Sequence, residues 1–367
     1  MTTQVAQPVV SNVPFHIEAP GRVIKWAVPG TPAVEMSVLA EGSQTNGQIS
    51  VAEHRYPAGY EIGLHTHMFE DEGWYVAEGT VTFPMPDDNL ELTATAGEFV
   101  WHPVRRRHGL RVSEDGPARL IQFLTPGTSL VPSFFEQLKV NGSPDSPDLA
   151  QVVESSKQNY GVYLDTGSDD LPPRTPSLNH GPLTSDAKLI VPPRSDQHLC
   201  NRPYKSDKSD VRSLKIGRGM MTDVEATFHA FGAQTGNALG MVEINWGPGD
   251  VAGAHVHTLE DEGFYVLDGE ITLRVAAPEG VVTAVAQAGD LVWAPRELAH
   301  YYEMTGSEGA RVLVFEVPGG SLGEFFIDIS KMRAADIESD EALAEAVRWM
   351  GDEFGIYFLA PGEFPEE

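Results

Sequence analysis

Residues 65–83 read HTHMFEDEGWYVAEGTVTF, and residues 255–273 read HVHTLEDEGFYVLDGEITL. The two stretches lie 190 residues apart and share two histidines separated by one residue, an acidic Glu-Asp-Glu run, two adjacent aromatic residues and a glycine. Side chains two apart on a strand point to the same side. His65 and His67 therefore present two imidazoles to one face, and His255 and His257 do the same. The alternation that follows each acidic run is that of a half-buried strand.

Outward from this pair the self-similarity extends over most of the chain. Residues 44–64 match 234–254 at the same offset of 190, while Gly97, Trp101, Pro103 and His108 return as Gly289, Trp293, Pro295 and His300 at an offset of 192. Two residues are thus inserted after 80 or after 270. Further on, Thr125-Pro126-Gly127 faces Val317-Pro318-Gly319, and Tyr160–Tyr163 faces Phe354–Tyr357 at an offset of 194. A period this long marks a duplicated domain rather than a solenoid unit. The expected organisation is an N-terminal domain over 1–165, a linker rich in Pro, Ser and Asp over 166–215, and a C-terminal domain over 216–367. In the linker, Leu189-Ile190-Val191 is a candidate short strand. Each copy reads as short strands punctuated by Gly, Pro and Asp, an all-β sandwich or barrel pattern. Each copy ends in short helical sequence; behind a Ser339 cap, Leu343, Val347, Met350 and Phe354 fall at helical spacing and read as packing.

The 367 residues are 41% hydrophobic, enough to fill two cores, and carry a net charge of −28. That charge repels nucleic acid and anionic membrane surfaces. No run of about 18 apolar residues is present and the first twenty residues lack signal-peptide character, so a cytoplasmic protein is expected. The single cysteine, Cys200, excludes an internal disulfide framework and any thiolate cluster.

The chemistry sits in the repeat. Glu72 and Glu262 begin the strand after each histidine pair and can reach back to it across a short turn. His108 and His300 add a third imidazole. Three imidazoles and one carboxylate suit a divalent transition metal, whether Fe, Mn, Ni, Co, Cu or Zn, and leave a position for water or substrate. The metal ligands read from the sequence are His65, His67, Glu72 and His108 in one copy, and His255, His257, Glu262 and His300 in the other. The unrepeated His16, His54, His102, His180, His198 and His229 read as structural histidines. Glu70, Asp71, Glu260 and Asp261 read as solvated turn residues, with imidazole positioning as the other reading. Arg105-Arg106-Arg107 reads as a solvated hairpin, the alternative being an anion-holding group at a pocket mouth. Trp74, Phe83, Trp101, Phe264 and Trp293 are candidates for either pocket walls or barrel packing.

The spacing Gly59-x5-His65-x-His67-x4-Glu72-x6-Gly79, repeated at Gly249-x5-His255-x-His257-x4-Glu262-x6-Gly269, resembles the first motif of the cupin superfamily at every position. Gly97-x5-Pro103 with His108, and Gly289-x5-Pro295 with His300, resemble the second. Arg105 and Glu297 depart from it where a glycine is expected, and Val112 and Met304 where an asparagine is expected. The resemblance implies a bicupin: two tandem jelly-roll (double-stranded β-helix) barrels with short C-terminal helices and one metal each. The wording around the first motif is similar to that of quercetin dioxygenases. That likeness implies a metal-dependent dioxygenase cleaving a flavonol-like or other enol or phenol substrate with O2, with Glu72 and Glu262 also serving as general bases. The alternative is a non-oxidative lyase of the oxalate decarboxylase kind, or an isomerase, although the Ser-Glu-Asn-Ser-Thr lid string of those decarboxylases is absent here. A storage cupin without catalysis is the third reading. Expected partners are a small-molecule substrate and O2, with no nucleic acid and no membrane; self-association is left open.

Overall fold

The alternation of apolar and polar residues becomes antiparallel strands throughout, as in Thr80–Met85, where every second side chain is buried. The computed structural model describes residues 13–28, 31–128, 130–138, 149–165, 201–216, 222–334, 340–360 and 362–365. His180, His198, Cys200, Leu189–Val191 and Ser339 lie outside these residues. In the first half, seven strands pair in the order Tyr204–Lys205, Glu98–His102, Asp71–Glu78, Ala118–Thr125, Ser50–Tyr56, Val34–Ala40 and Arg22–Trp26. A second sheet runs Val162–Leu164, Glu61–His67, His108–Val112, Thr80–Met85, Leu90–Thr95. The second half repeats this plan, except that Asp261–Ala277 runs on as one long strand where the first half breaks at Gly79.

The change of offset has a structural address. Thr80 pairs with Thr95 in one hairpin and Glu270 with Gln287 in the other, so the second hairpin is longer by two residues. Gly79 and Gly269 stand at φ +88° and +80°, and a Cβ there would lie 2.5 Å and 2.1 Å from a backbone carbonyl oxygen. That double constraint makes glycine obligatory at the end of the first motif.

Each barrel has its own apolar interior, and a third core lies between the barrels. Strand geometry explains the third. Along Asp71–Glu78, Trp74 and Val76 face the N-terminal barrel's interior while Tyr75, on the other side of the pleat, enters the shared core. Trp101, Phe99 and Phe123 from one half meet Trp293, Leu291 and Phe315 from the other in the same layer. Both faces of these strands are therefore buried.

The halves also exchange strands. Phe15–Ile17, which precedes the first barrel, pairs with Leu291–Ala294 of the second, and Tyr204–Lys205, from the segment read as linker, pairs with Glu98–His102 of the first. Val211–Ile216, also within that segment, joins the C-terminal sheet. Two crossed contacts seal the junction: Tyr75 donates to Glu243 at 2.7 Å and Tyr265 donates to Glu53 at 2.6 Å. They are related by the internal repeat, and an arginine flanks each carboxylate, Arg311 at 3.5 Å from Glu243 and Arg119 at 3.2 Å from Glu53.

Removing both crossed bonds, as in Tyr75→Phe with Tyr265→Phe, is expected to lower stability by about 1.5–3 kcal/mol per bond, as measured by denaturant unfolding. Burial opposes ionisation of Glu243, but the hydrogen bond and charge of His229, with Tyr75 and Arg311, outweigh it and hold its carboxyl below the usual range. Its contribution is therefore present above the ordinary carboxylate pKa and is lost as pH falls through the lowered folded value. The Tyr75→Phe penalty should shrink at acid pH.

Candidate metal centres

Strand register brings the sequence-selected ligands together. His65 pairs directly with His108, and His255 with His300, on neighbouring strands of one sheet. His67 and His257 follow two residues on, and Glu72 and Glu262 arrive from the opposite sheet. All eight are buried. In each half one ligand atom from each of the four lies within 4.8 Å of the other three. The ring-centroid separations are 4.4, 5.1 and 5.5 Å in the first half, against 4.4, 5.0 and 5.5 Å in the second.

The tautomers suit metal binding. Nδ1 of His65, His108, His255 and His300 lies 2.7–3.0 Å from the carbonyl oxygens of Gly63, Arg106, Gly253 and Leu298. A ring nitrogen beside a carbonyl must donate, so Nε2 carries its lone pair toward the centre. Burial, followed by the neighbouring imidazoles, depresses His65 well below its ordinary pKa and His255 to about 3. Burial would raise Glu262, but His257 and the His300 hydrogen bond outweigh it and hold the carboxyl at about 2. Glu72 is likewise held well below its usual value, against burial, by His67, His102 and His108. Against burial, Glu72 and Glu70 shift His67 the other way, above its ordinary value. A divalent cation needs unprotonated imidazoles and an ionised carboxylate and would displace any proton held between them, so the geometry and chemistry of the donor set fit one ion per barrel.

Several surrounding residues differ from their sequence reading. Glu70 and Glu260 are buried, not solvated. Glu70 lies 3.5 Å from His67 Nδ1, and Asp71 and Asp261 accept the backbone N–H of Val104 and Arg296 at 2.7 and 2.8 Å. In the second half Glu316 takes the place beside the imidazole: its Oε1 is 3.2 Å from His257 Nδ1, close enough to pair though off hydrogen-bond alignment. Burial and repulsion from Glu316 push Glu260 well above the usual carboxyl range, and burial with repulsion from Glu262 does the same to Glu316. Sequence reasoning did not find Glu316, because Leu124 holds the matching register opposite Glu72. His102, read as structural, lies 3.4 Å from Glu72 and stacks on His108 at 4.4 Å.

The arginine run is a loop that crosses from one sheet to the other, not a hairpin, and its side chains are paired: Arg106 faces Asp88, and Arg107 faces Asp87 and Asp165. Arg105 and Glu297 take φ +63° and +66°, each donating its N–H at 2.7 Å to the carbonyl of His67 or His257. The left-handed geometry of the second motif is thus kept without its glycine, at the conformational cost of a side chain there. None of the five aromatic candidates walls the cavity beside the second centre. Trp101 and Trp293 lie in the inter-barrel core, and Trp74, Phe83 and Phe264 pack inside the barrels. Trp246, Tyr302, Phe325, Phe326 and Phe358 line that cavity instead, together with His255, His257 and Glu262.

A family model described as the cupin domain matches residues 52–124 and 242–316, spanning the ligands of each half. The chain carries two cupin domains. Among solved structures, one titled for the substrate binding mode and reaction-specificity switch of oxalate decarboxylase is similar over 96% of this chain and 90% of its own, at 15% identity and a TM-score of 0.54. Another, of the Bacillus subtilis oxalate decarboxylase and its Mn(II) centres, has the same identity and coverage with a TM-score of 0.52. At that identity the likeness is one of fold. No curated protein matches in sequence. Among the described residues of this bicupin, no helix is long and apolar enough to cross a membrane.

Replacing Glu316 by Leu, the residue the first half uses, is expected to weaken metal binding at the second centre by about 10–100-fold. Competitive chelator titration, with the first centre's affinity unchanged, checks this.

Proposed function

We propose that this bicupin is a metal-dependent lyase acting on a small organic acid that ligates the metal through a carboxylate or enolate oxygen. The observation that carries the reading is the cavity against which His255, His257 and Glu262 are exposed: about 50 Å³, with its remaining walls mostly apolar. Pockets that enclose drug-sized ligands run to roughly 300–1,000 Å³, so this cavity suits a molecule of a few heavy atoms. The whole-length likeness to oxalate decarboxylases agrees with that size. No Arg or Lys lines the cavity, so once one anionic group is on the metal a second would be buried without a cation partner, which is costly. The substrate is therefore expected to carry a single anionic group and an apolar remainder, unlike oxalate.

His255, His257, Glu262 and His300 would hold the metal, as would His65, His67, Glu72 and His108 in the other barrel. A bound divalent cation supplies Lewis acidity, stabilising negative charge that develops on a substrate oxygen as a C–C or C–H bond breaks. The chain's own residues do the rest. The apolar walls exclude water and fix the substrate's body. Glu262, directing Oε2 toward all three imidazoles, is placed to take or return a proton at an adjacent carbon.

The aromatic character of the lining supports a second reading, a dioxygenase acting on an enol or phenol. A flavonol-sized substrate would require the Leu322–Ala334 helix, which supplies Leu322, Phe325, Phe326 and Ile329 to the cavity, to move outward.

The distinguishing experiment presents metal-loaded protein with a panel of small monocarboxylic, β-keto and enediol acids under argon and under air. Turnover that persists without oxygen, with CO2 or isomerised product released, is the expected result. Turnover only in air with stoichiometric O2 uptake would replace this reading by the dioxygenase one.

A further inference from the structure

The internal repeat provides a matched comparison for every residue around the two centres. The ligands match in all eight positions; what surrounds the carboxylates does not. In the first barrel Gln122 donates Nε2–H to Glu72 Oε1 at 2.6 Å, and its own Oε1 lies 3.0 Å from His54 Nε2. His102 Nδ1 stands 3.4 Å from the other carboxylate oxygen. Both oxygens of Glu72 are thereby engaged by groups that are not among the four ligands. By strand register the positions of Gln122, His54 and His102 fall in the second barrel to Val314, Ile244 and Ala294, all fully buried and incapable of a side-chain hydrogen bond.

The space beside the carboxylates differs in the same sense. Next to Glu72, His54 stacks on Tyr56 at 5.5 Å and meets Trp74 and Phe135 at 5.4 Å, with Trp26 packed on Phe135 at 5.0 Å. Aromatic rings pack against one another there. In the second barrel Ile244 replaces His54, and the cavity that exposes His255, His257 and Glu262 is present.

We propose that the two centres divide the work. The C-terminal centre binds the organic acid and turns it over, whereas the N-terminal centre, its carboxylate clamped by Gln122 and His102, holds a metal in a structural role. The inference rests on the metal-dependent reading above and assigns it to one barrel. A carboxylate that must rotate to accept a proton can do so where only ligands hold it. Glu72 would have to break the Gln122 bond inside a core that offers no replacement.

The test uses the full chain loaded with Co(II), whose visible spectrum reports each coordination sphere, and isobutyrate as the probe, a monocarboxylate with a small apolar body. The expected result is one isobutyrate per chain by calorimetry, with the absorption of half of the bound cobalt altered. Ala252→Phe and Ile329→Trp, which fill the C-terminal cavity, should each weaken isobutyrate binding by about tenfold or more while both cobalt ions are retained, since a close-packed cavity has no slack to absorb a ring. Retained cobalt shows that a variant has folded, and either variant suffices. Ile62→Phe, at the register position of Ala252 in the first barrel, should leave isobutyrate affinity unchanged. Two isobutyrates per chain, none, or loss of binding in Ile62→Phe but not in the C-terminal variants would overturn the division of labour. Failure to take up cobalt at all would instead overturn the metal-dependent reading on which it rests.

Discussion

The burial of ionisable side chains inside an apolar barrel is the constraint on which this structure depends. Each half withdraws three imidazoles and a carboxylate from water, together with Glu70 in the first half and Glu260 and Glu316 in the second. An isolated buried carboxylate is expensive, and pairing recovers the cost only when its lone pairs are satisfied. The chain meets part of this demand itself, by aiming four Nδ1 atoms at backbone carbonyls and by engaging Glu72 with Gln122. What remains is a set of inward-facing nitrogen lone pairs around one anion, an arrangement that a divalent cation completes.

The duplicated scaffold anchors the carboxylate strand of each centre by burying it on both faces. A single jelly roll would expose its outer face to water. Here the outer faces of both barrels meet in a common core, and each barrel receives a short strand from the segment preceding the other. The crossed Tyr–Glu bonds place two further carboxylates, Glu53 and Glu243, at that junction with arginine and phenol partners. The strands that carry Glu72 and Glu262, backed in this way, cannot shift register without exposing an aromatic layer, because a slip of one residue turns every side chain to the wrong face.

Much of this was legible in the sequence because strand chemistry is periodic. The i, i+2 histidines, the carboxylate at the next strand and the distant third imidazole stand in one cluster per half, as their spacing implied. The same periodicity did not suffice where both faces of a strand are buried: Trp101 and Trp293 read as either pocket walls or barrel packing, and they lie in the core between the barrels. Glu70 and Glu260 read first as solvated turn residues because acidic side chains beside a turn usually face water; both are buried, and Glu70 takes the other reading, beside the His67 imidazole. Glu316 and Gln122 had no motif to announce them, since each acts alone and neither recurs in the other copy. The short strands at 204–205 and 211–216 fall in sequence with the composition of a linker, and what makes them strands is an unpaired edge supplied by another part of the chain.

The most direct measurement of the central claim is element-specific anomalous scattering, combined with metal analysis, on crystals of the protein purified with its native metal. The account predicts two ions per chain, one within bonding distance of His65, His67, Glu72 and His108 and one within bonding distance of His255, His257, Glu262 and His300. Metal-free protein that refuses added divalent ions, or an ion bound away from both quartets, would contradict it.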